Sequence, residues 1–292
     1  MIDRYSSITL DRPFAIADRD IEIGFPANAN DEEVIAARGI VPSLDVLCNV
    51  HTPNGTNEMS VLFYCVRLRQ VTSKIHAKFS SSRVDGATSP NQLLLASGHV
   101  YSDLDELLRE LEEWRKSSPR FENPRCLYED LEWYDILLSR ERLLLIRKAV
   151  DLVPKHNGMP PKDLLELCLD SATKTTLLFA DLFERKRITY TRSYFQMIFT
   201  AGLSILFCLS AGETTDRTVA SEPLNALAAC ESLLQTMGAL LPDARHYAIL
   251  FEALRRHFAR PLDHKISKLL LLMAPAVRGV PMVARSCLKH KS

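Results

Sequence analysis

The sequence predicts an all-α protein, an irregular bundle of about eight helices with no significant sheet. Three observations lead there. Apolar residues recur at three- and four-residue spacing along most of the chain, and no stretch shows sustained two-residue alternation. Apolar residues make up 47% and charged residues 25% of the 292 positions, the proportions of a soluble globular domain. A chain of this length buries a core large enough to need neither disulfides nor metals. The expected organisation is one helical domain over 1–274 and a basic tail over 275–292.

Taken in order, 13–30 reads as a loop, broken by Pro13, Gly24 and Pro26. Asp31-Glu32-Glu33 opens a short helix, because carboxylates suit a first turn. Residues 49–55 form a break with turn chemistry at Pro53-Asn54-Gly55. From about 57 to 81 a helix is predicted, with Met59, Leu62, Phe63, Val66, Ile75 and Phe79 on its buried face and Gly86 beyond its end. Ser102 reads as an N-cap, with Asp103, Asp105 and Glu106 in the first turn and Leu104, Leu107, Leu108, Leu111 and Trp114 as the stripe. Ser117-Ser118-Pro119 closes that helix. Another spans about 129–153. Pro160-Pro161 starts the next, which ends in Arg185-Lys186-Arg187, cations suited to a C-terminus. Residues 212–220 are a polar loop, and Ser221 and Pro223 open a helix to about 241. Asp243 caps one more, with Tyr247, Leu250, Phe251, Leu254 and Phe258 inward. The apolar run 266–273 forms a last short helix.

Two features invite stronger readings. Leu131, Leu138, Leu145 and Leu152 stand seven apart, as in a zipper, but the companion seam holds Asp135 and Arg142, which would prevent a dimer core. Tyr194 to Ala211 carries no charge over 18 positions, the lower limit for a membrane span. Gln196, Thr200, Gly202 and Ser204 interrupt it, so it is expected to be a central buried helix and no membrane contact is expected.

Signals of chemistry are sparse. The seven cysteines show no CxxC spacing and read as free, mostly buried thiols. The N-terminal residues lack a signal-peptide core. There is no GxSxG, no Gly-rich phosphate loop and no HExxH. His246 and His257 share a helix face but make no metal set by themselves. Asp18 and Asp20 are expected to cap and to pair with Arg12 or Arg19, and Arg255-Arg256-His257 to be a solvated patch beside Glu252. No catalytic, cofactor-binding or metal-ligating residue is assigned.

A set of short motifs carries a resemblance. Asp3-Arg4-Tyr5-Ser6-Ser7 is followed by Leu10-Asp11-Arg12-Pro13-Phe14-Ala15-Ile16, then by Asp18 and Asp20-Ile21, and then by a proline-containing acidic stretch. Further on come Leu107 to Trp114-Arg115 with Pro119, Tyr134 through Leu143-Leu144-Leu145-Ile146-Arg147, Tyr194-Phe195-Gln196 through Gly202, and Tyr247 with Phe251-Glu252-Ala253-Leu254. Together these resemble the fungal-specific transcription factor domain, the middle homology region of binuclear zinc-cluster transcription factors. Leu10-Asp11-Arg12-Pro13 departs from that family's commoner Gly-Arg-Pro. The resemblance singles out Asp3, Arg4, Arg12, Pro13, Asp18, Asp20, Gln196 and Gly202 as motif residues of structural character.

The resemblance implies a regulatory region in the nucleus, or alternatively in the cytoplasm, without a DNA-binding module of its own. Zinc would belong to an N-terminal cluster absent from this sequence, so no cofactor is expected here. The chain would be a truncated product, a mis-started gene reading or a natural DNA-free regulator. Missing helices would leave an apolar face for protein partners or self-association, and a small-molecule effector is compatible with the family. The alternative is a helical small-molecule-binding protein or atypical enzyme of fungal metabolism on the same scaffold. Lysines plus arginines number 36, as do aspartates plus glutamates, so the basic excess usual for phosphate contact is missing. Fluorescence anisotropy with duplex DNA at physiological salt should therefore show no affinity, and nanomolar binding would contradict this charge argument.

Overall fold

The structure is a computed structural model, and it describes residues 3, 4, 7, 12–26, 29–37, 56–81, 90–188, 191–211 and 221–258. Among them lie eight α-helices and no strand: α1 (Asp31–Ala37), α2 (Ser60–Ser81), α3 (Pro90–Lys116), α4 (Leu131–Leu152), α5 (Lys162–Glu184), α6 (Arg192–Ala211), α7 (Ser221–Leu240) and α8 (Arg245–Phe258). The all-α bundle is thus as predicted. Helix α3 packs on α2 and α4, α4 on α5, and α5 on both α6 and α7. Helix α8 closes the far side against α6 and α7. The expected break at 49–55, Gly86, the loop 212–220, the helix 266–273 and the tail 275–292 lie outside the described residues, as do Cys48 and Cys287.

Local chemistry sets several helix ends. Asn30 and Glu33 make a capping pair at α1, the Glu33 carboxylate accepting the Asn30 N–H at 2.7 Å. The Asn57 side chain accepts the Met59 N–H ahead of α2, and Thr191 Oγ1 accepts the Tyr194 N–H at the start of α6. Helix α5 ends in a Schellman motif. The N–H of Arg187 reaches the Leu182 carbonyl and that of Lys186 the Phe183 carbonyl, with Lys186 in the left-handed region at φ 57°.

Four expectations need correction. Ser102 is not an N-cap, because α3 runs unbroken from Pro90 to Lys116. The carboxylates taken for its first turn face α2 instead: Lys78 Nζ lies 2.7 Å from Asp103 and 2.6 Å from Glu106. The buried face of α2 is Tyr64, Leu68, Val71, Ile75 and Phe79, whereas Leu62 is exposed. The expected Ile75 and Phe79 are buried, but in the first turns Tyr64 and not Phe63 is the aromatic that faces the core. On α8, Ala248 and Phe251 are buried and Leu250 is exposed. Asp243 sits in a short 3-10 turn before α8, makes no side-chain cap, and pairs with Arg192.

An aromatic knot ties α2, α3 and α4. The Tyr64 and Trp114 rings stack at 4.2 Å, and Tyr134 meets Tyr64 edge-on at 4.7 Å. Tyr64 Oη donates to the Trp114 carbonyl, and Trp114 Nε1 donates to the Tyr64 carbonyl. The zipper positions behave as the charges required. Leu145 is buried and Leu131 exposed, while Asp135 pairs with Arg115 and Arg142 with Glu112.

Beside that knot lies a buried charge. Glu141 of α4 accepts from Arg69 and Thr72 of α2 and from Arg140. Burial raises its proton affinity, but Arg140, Arg69 and the hydrogen bonds outweigh burial and hold the carboxyl below its ordinary 4.5. A depressed carboxyl stabilises the fold fully above pH 4.5, and that contribution is lost as pH falls below it toward the lowered folded value. Glu141→Ala, which leaves Arg69 without its carboxylate, should cost about 3–5 kcal/mol by urea unfolding at pH 7. The difference from wild type should shrink as the medium is acidified below pH 4.5.

Helix α6 is the uncharged stretch. It is long and apolar enough to cross a membrane, and 61% of its most apolar window is buried inside the bundle. Phe195, Ile198, Ala201, Gly202 and Ile205 face inward. A Cβ on Gly202 would stand 2.5 Å from Cys230 Sγ of α7 and 2.5 Å from the Phe251 ring of α8. Both neighbours are fully buried, so neither can yield cheaply. Gly202→Ala should cost about 1–3 kcal/mol and Gly202→Leu more, measured by thermal unfolding; an unchanged Tm for Gly202→Leu would contradict the close contact.

Candidate functional site

The motif residues near the N-terminus do meet in space. Arg4 is buried, with its Nε donating to Ser73 Oγ of α2 at 2.9 Å. Its Nη1 reaches Asp3 Oδ2 at 2.6 Å, and its Nη2 pairs with Asp18. The guanidinium carbon lies 4.6 Å from the centre of the Phe14 ring, and that ring leans on His76 of α2. One fork of donors therefore gathers Asp3, the loop at 14–18 and α2. A lysine would offer a single ammonium in place of this planar fork.

Asp3 completes the clasp. Its Oδ1 accepts the Ala15 N–H at 3.1 Å and the Ser7 hydroxyl at 3.4 Å. The Ala15 N–H is the main cause that holds its carboxyl below the ordinary 3.8, with Arg4 adding to it against a smaller effect of burial. Asp18 was expected to pair with Arg12 or Arg19. Its partner is Arg4, because Arg12 and Pro13 point to solvent and only the backbone N–H of Arg12 is engaged, at the Ser7 carbonyl. Asp20 does face Arg19, at 3.6 Å and well exposed. Gln196 and Gly202 lie on α6, which packs with α5, α7 and α8, and so belong to a different part of the bundle from the clasp.

A separate cleft of 420 Å³ opens where the 120–132 segment meets the end of α5. Arg120, Phe121, Glu129, Asp130, Arg185 and Arg187 are among its walls. Arg185 pairs with Glu132 at 2.9 Å, and with Asp181; Arg187 pairs with Asp130. Arg185 and Arg187 of the basic run that ends α5 are thus engaged by carboxylates of α5 and of the start of α4, beyond the helix-end role the sequence predicts for them. Only composition hinted at the cleft, since the residues that meet there are more than 50 positions apart.

Other reactive groups are placed for packing. Cys168, Cys208 and Cys230 are buried, Cys65 is half-buried and Cys126 is exposed, so the expectation of buried thiols holds for three of the five described. Cys126 is the correction: it sits on the surface segment between α3 and α4, not in a helix. Cys208 is held above the usual thiol range by sharing a hydrogen bond with Cys168 and by burial. His246 and His257 are both exposed. Arg255 pairs with Glu231, and Arg256 with Glu252. Among the described residues no group of three or more His, Cys, Asp or Glu side chains is arranged to hold a metal ion.

No protein family, curated protein or solved structure matches the chain.

The clasp is testable directly. Arg4→Ala removes charge-assisted hydrogen bonds from a buried donor, and the local opening energy of 12–20 should fall by about 1.5–3 kcal/mol. Amide hydrogen exchange at these residues should accelerate while exchange in α6 stays as in the wild type. Equal acceleration everywhere would show that Arg4 supports the whole fold and not this segment.

Proposed function

We propose that this chain is a helical regulatory module of a fungal zinc-cluster transcription factor, without its own DNA-binding unit, and that it is not an enzyme. The observation that carries the reading is the meeting of Asp3, Arg4 and Asp18 around one buried guanidinium. Those three residues come from the motif on which the resemblance rests, and the pairing of both carboxylates with the one buried guanidinium gives the motif a physical reason to exist. The zero net charge and the carboxylate pairing of the basic runs agree with a role through partners or an effector in the nucleus, with zinc belonging to a separate module.

The test is a transcription reporter in a fungal cell. The whole chain, fused to an unrelated DNA-binding domain, should raise or lower reporter output several-fold, and Arg4→Ala should reduce that change. A fusion that is expressed and folded but leaves output at the level of the DNA-binding domain alone would defeat the proposal.

The cleft favours a second reading, a small-molecule-binding protein built on the same scaffold. Its three arginines and three carboxylates suit a ligand bearing both charges. A thermal-shift screen of free amino acids and other zwitterions tests it: a concentration-dependent rise in Tm that Arg120→Ala abolishes supports it, and no rise with any of them counts against it.

A further inference from the structure

The loop held by the clasp presents an unusual surface. Ile16, Ile21, Ile23 and Phe25 are exposed, Ile23 to 89%, and α1 adds the exposed Ile35. Ile21, Ile23 and Phe25 stand two apart in a stretch without regular structure, and Phe25 rests on Phe63 of α2 at 5.4 Å beside the exposed Leu62. Scattered single hydrophobes are ordinary on a protein surface, but five exposed within twenty residues of one chain segment make an apolar stretch dense enough to call for a cover. The face is also strongly acidic. Between positions 13 and 37 stand Asp18, Asp20, Glu22, Asp31, Glu32 and Glu33 against the single cation Arg19. Glu58 joins them where α1 meets α2, its carboxylate accepting the Asp31 N–H.

The chain itself contains the complement. Beyond α8, residues 259–292 carry seven lysines and arginines, from Arg260 to Lys291, against the one carboxylate Asp263. They also carry the apolar run Ile266 to Met273, interleaved with Lys265 and Lys268. The surplus of positive charge in this basic segment nearly matches the surplus of negative charge in the acidic stretch. Thirty-four residues can span roughly 110 Å when extended, so the distance from α8 to the opposite end of the bundle sets no limit.

We propose that residues 259–292 dock on the acidic, apolar face formed by 16–25 and α1 of the same molecule, isoleucines and Phe25 meeting the apolar run and the carboxylates meeting its lysines. This does not rest on the transcriptional reading. Opposite charges select this segment over a generic hydrophobic partner, and salt should weaken the contact.

The experiment is zero-length carbodiimide cross-linking of the full chain, followed by mass spectrometry. Cross-links between 18–33 and Lys265 or Lys268 are expected at low salt, with at least a five-fold loss at 0.5 M NaCl. Ile23→Ser, at an exposed position, should lower the yield while circular dichroism and Tm stay as in the wild type. In full-chain Arg278→Glu/Arg285→Glu, whose lysine targets are intact, both the yield and the hydrogen-exchange protection of 16–26 should fall. A mixture of isotope-labelled and unlabelled chains separates the occupants. Mixed-label products would overturn self-docking in favour of a second copy. Absence of cross-links, with exchange at 16–26 equal in the wild type and the charge variant, would overturn the contact altogether.

Discussion

Helix α6 can lie against α7 and α8 together only because residue 202 has no side chain. Cys230 and the Phe251 ring occupy the space a Cβ would need, so three helices converge on one backbone position. The rest of that half follows. Phe195 and Phe199 stack along α6 and meet Tyr247 edge-on, and Phe199 meets Phe251. Cys230 donates to the Ile198 carbonyl at 3.4 Å across the same contact. Small size at 202, aromatic bulk at 251 and a thiol at 230 are one packing solution distributed over three helices.

The other half is held by different physics. Around Tyr64, Trp114 and Tyr134, polar atoms of large rings answer backbone carbonyls or pass unanswered: the Tyr134 hydroxyl is buried without a hydrogen-bond partner. Close by, Glu141 accepts from two arginines and a threonine. A buried carboxylate of this kind adds little net stability over an apolar replacement, but it penalises any arrangement of α2 against α4 that separates the partners. The Arg4 clasp extends the same logic outward, fixing a loop to α2 through donors shared among Ser73, Asp3 and Asp18. What the clasp fixes is a loop whose exposed side chains are apolar and acidic.

The helices were legible because their signal is local. Periodic leucines gave α4, Pro160-Pro161 announced α5, and a run without charge gave α6. The failures came where a local rule had a distant competitor. Asp103 and Glu106 look like first-turn acids until Lys78, 25 and 28 residues away, is seen to claim them. The motif residues Asp3, Arg4 and Asp18 could be picked out one by one, but nothing in their spacing said that Arg4, and not Arg12, would be the cation.

By itself the sequence determined the helical class, most helix boundaries and the demand for a small residue within the uncharged stretch, because 3.6-residue periodicity and capping act over a single turn or two. The tertiary structure decided the phase of α2, the continuity of α3, the partners of Arg4, Glu141 and Lys78, and the cleft above Arg185 and Arg187. Most of these depend on charges or rings that meet across 14 to 72 residues. Such meetings are governed by which helix faces touch, and a linear pattern carries that information only after the helices have packed.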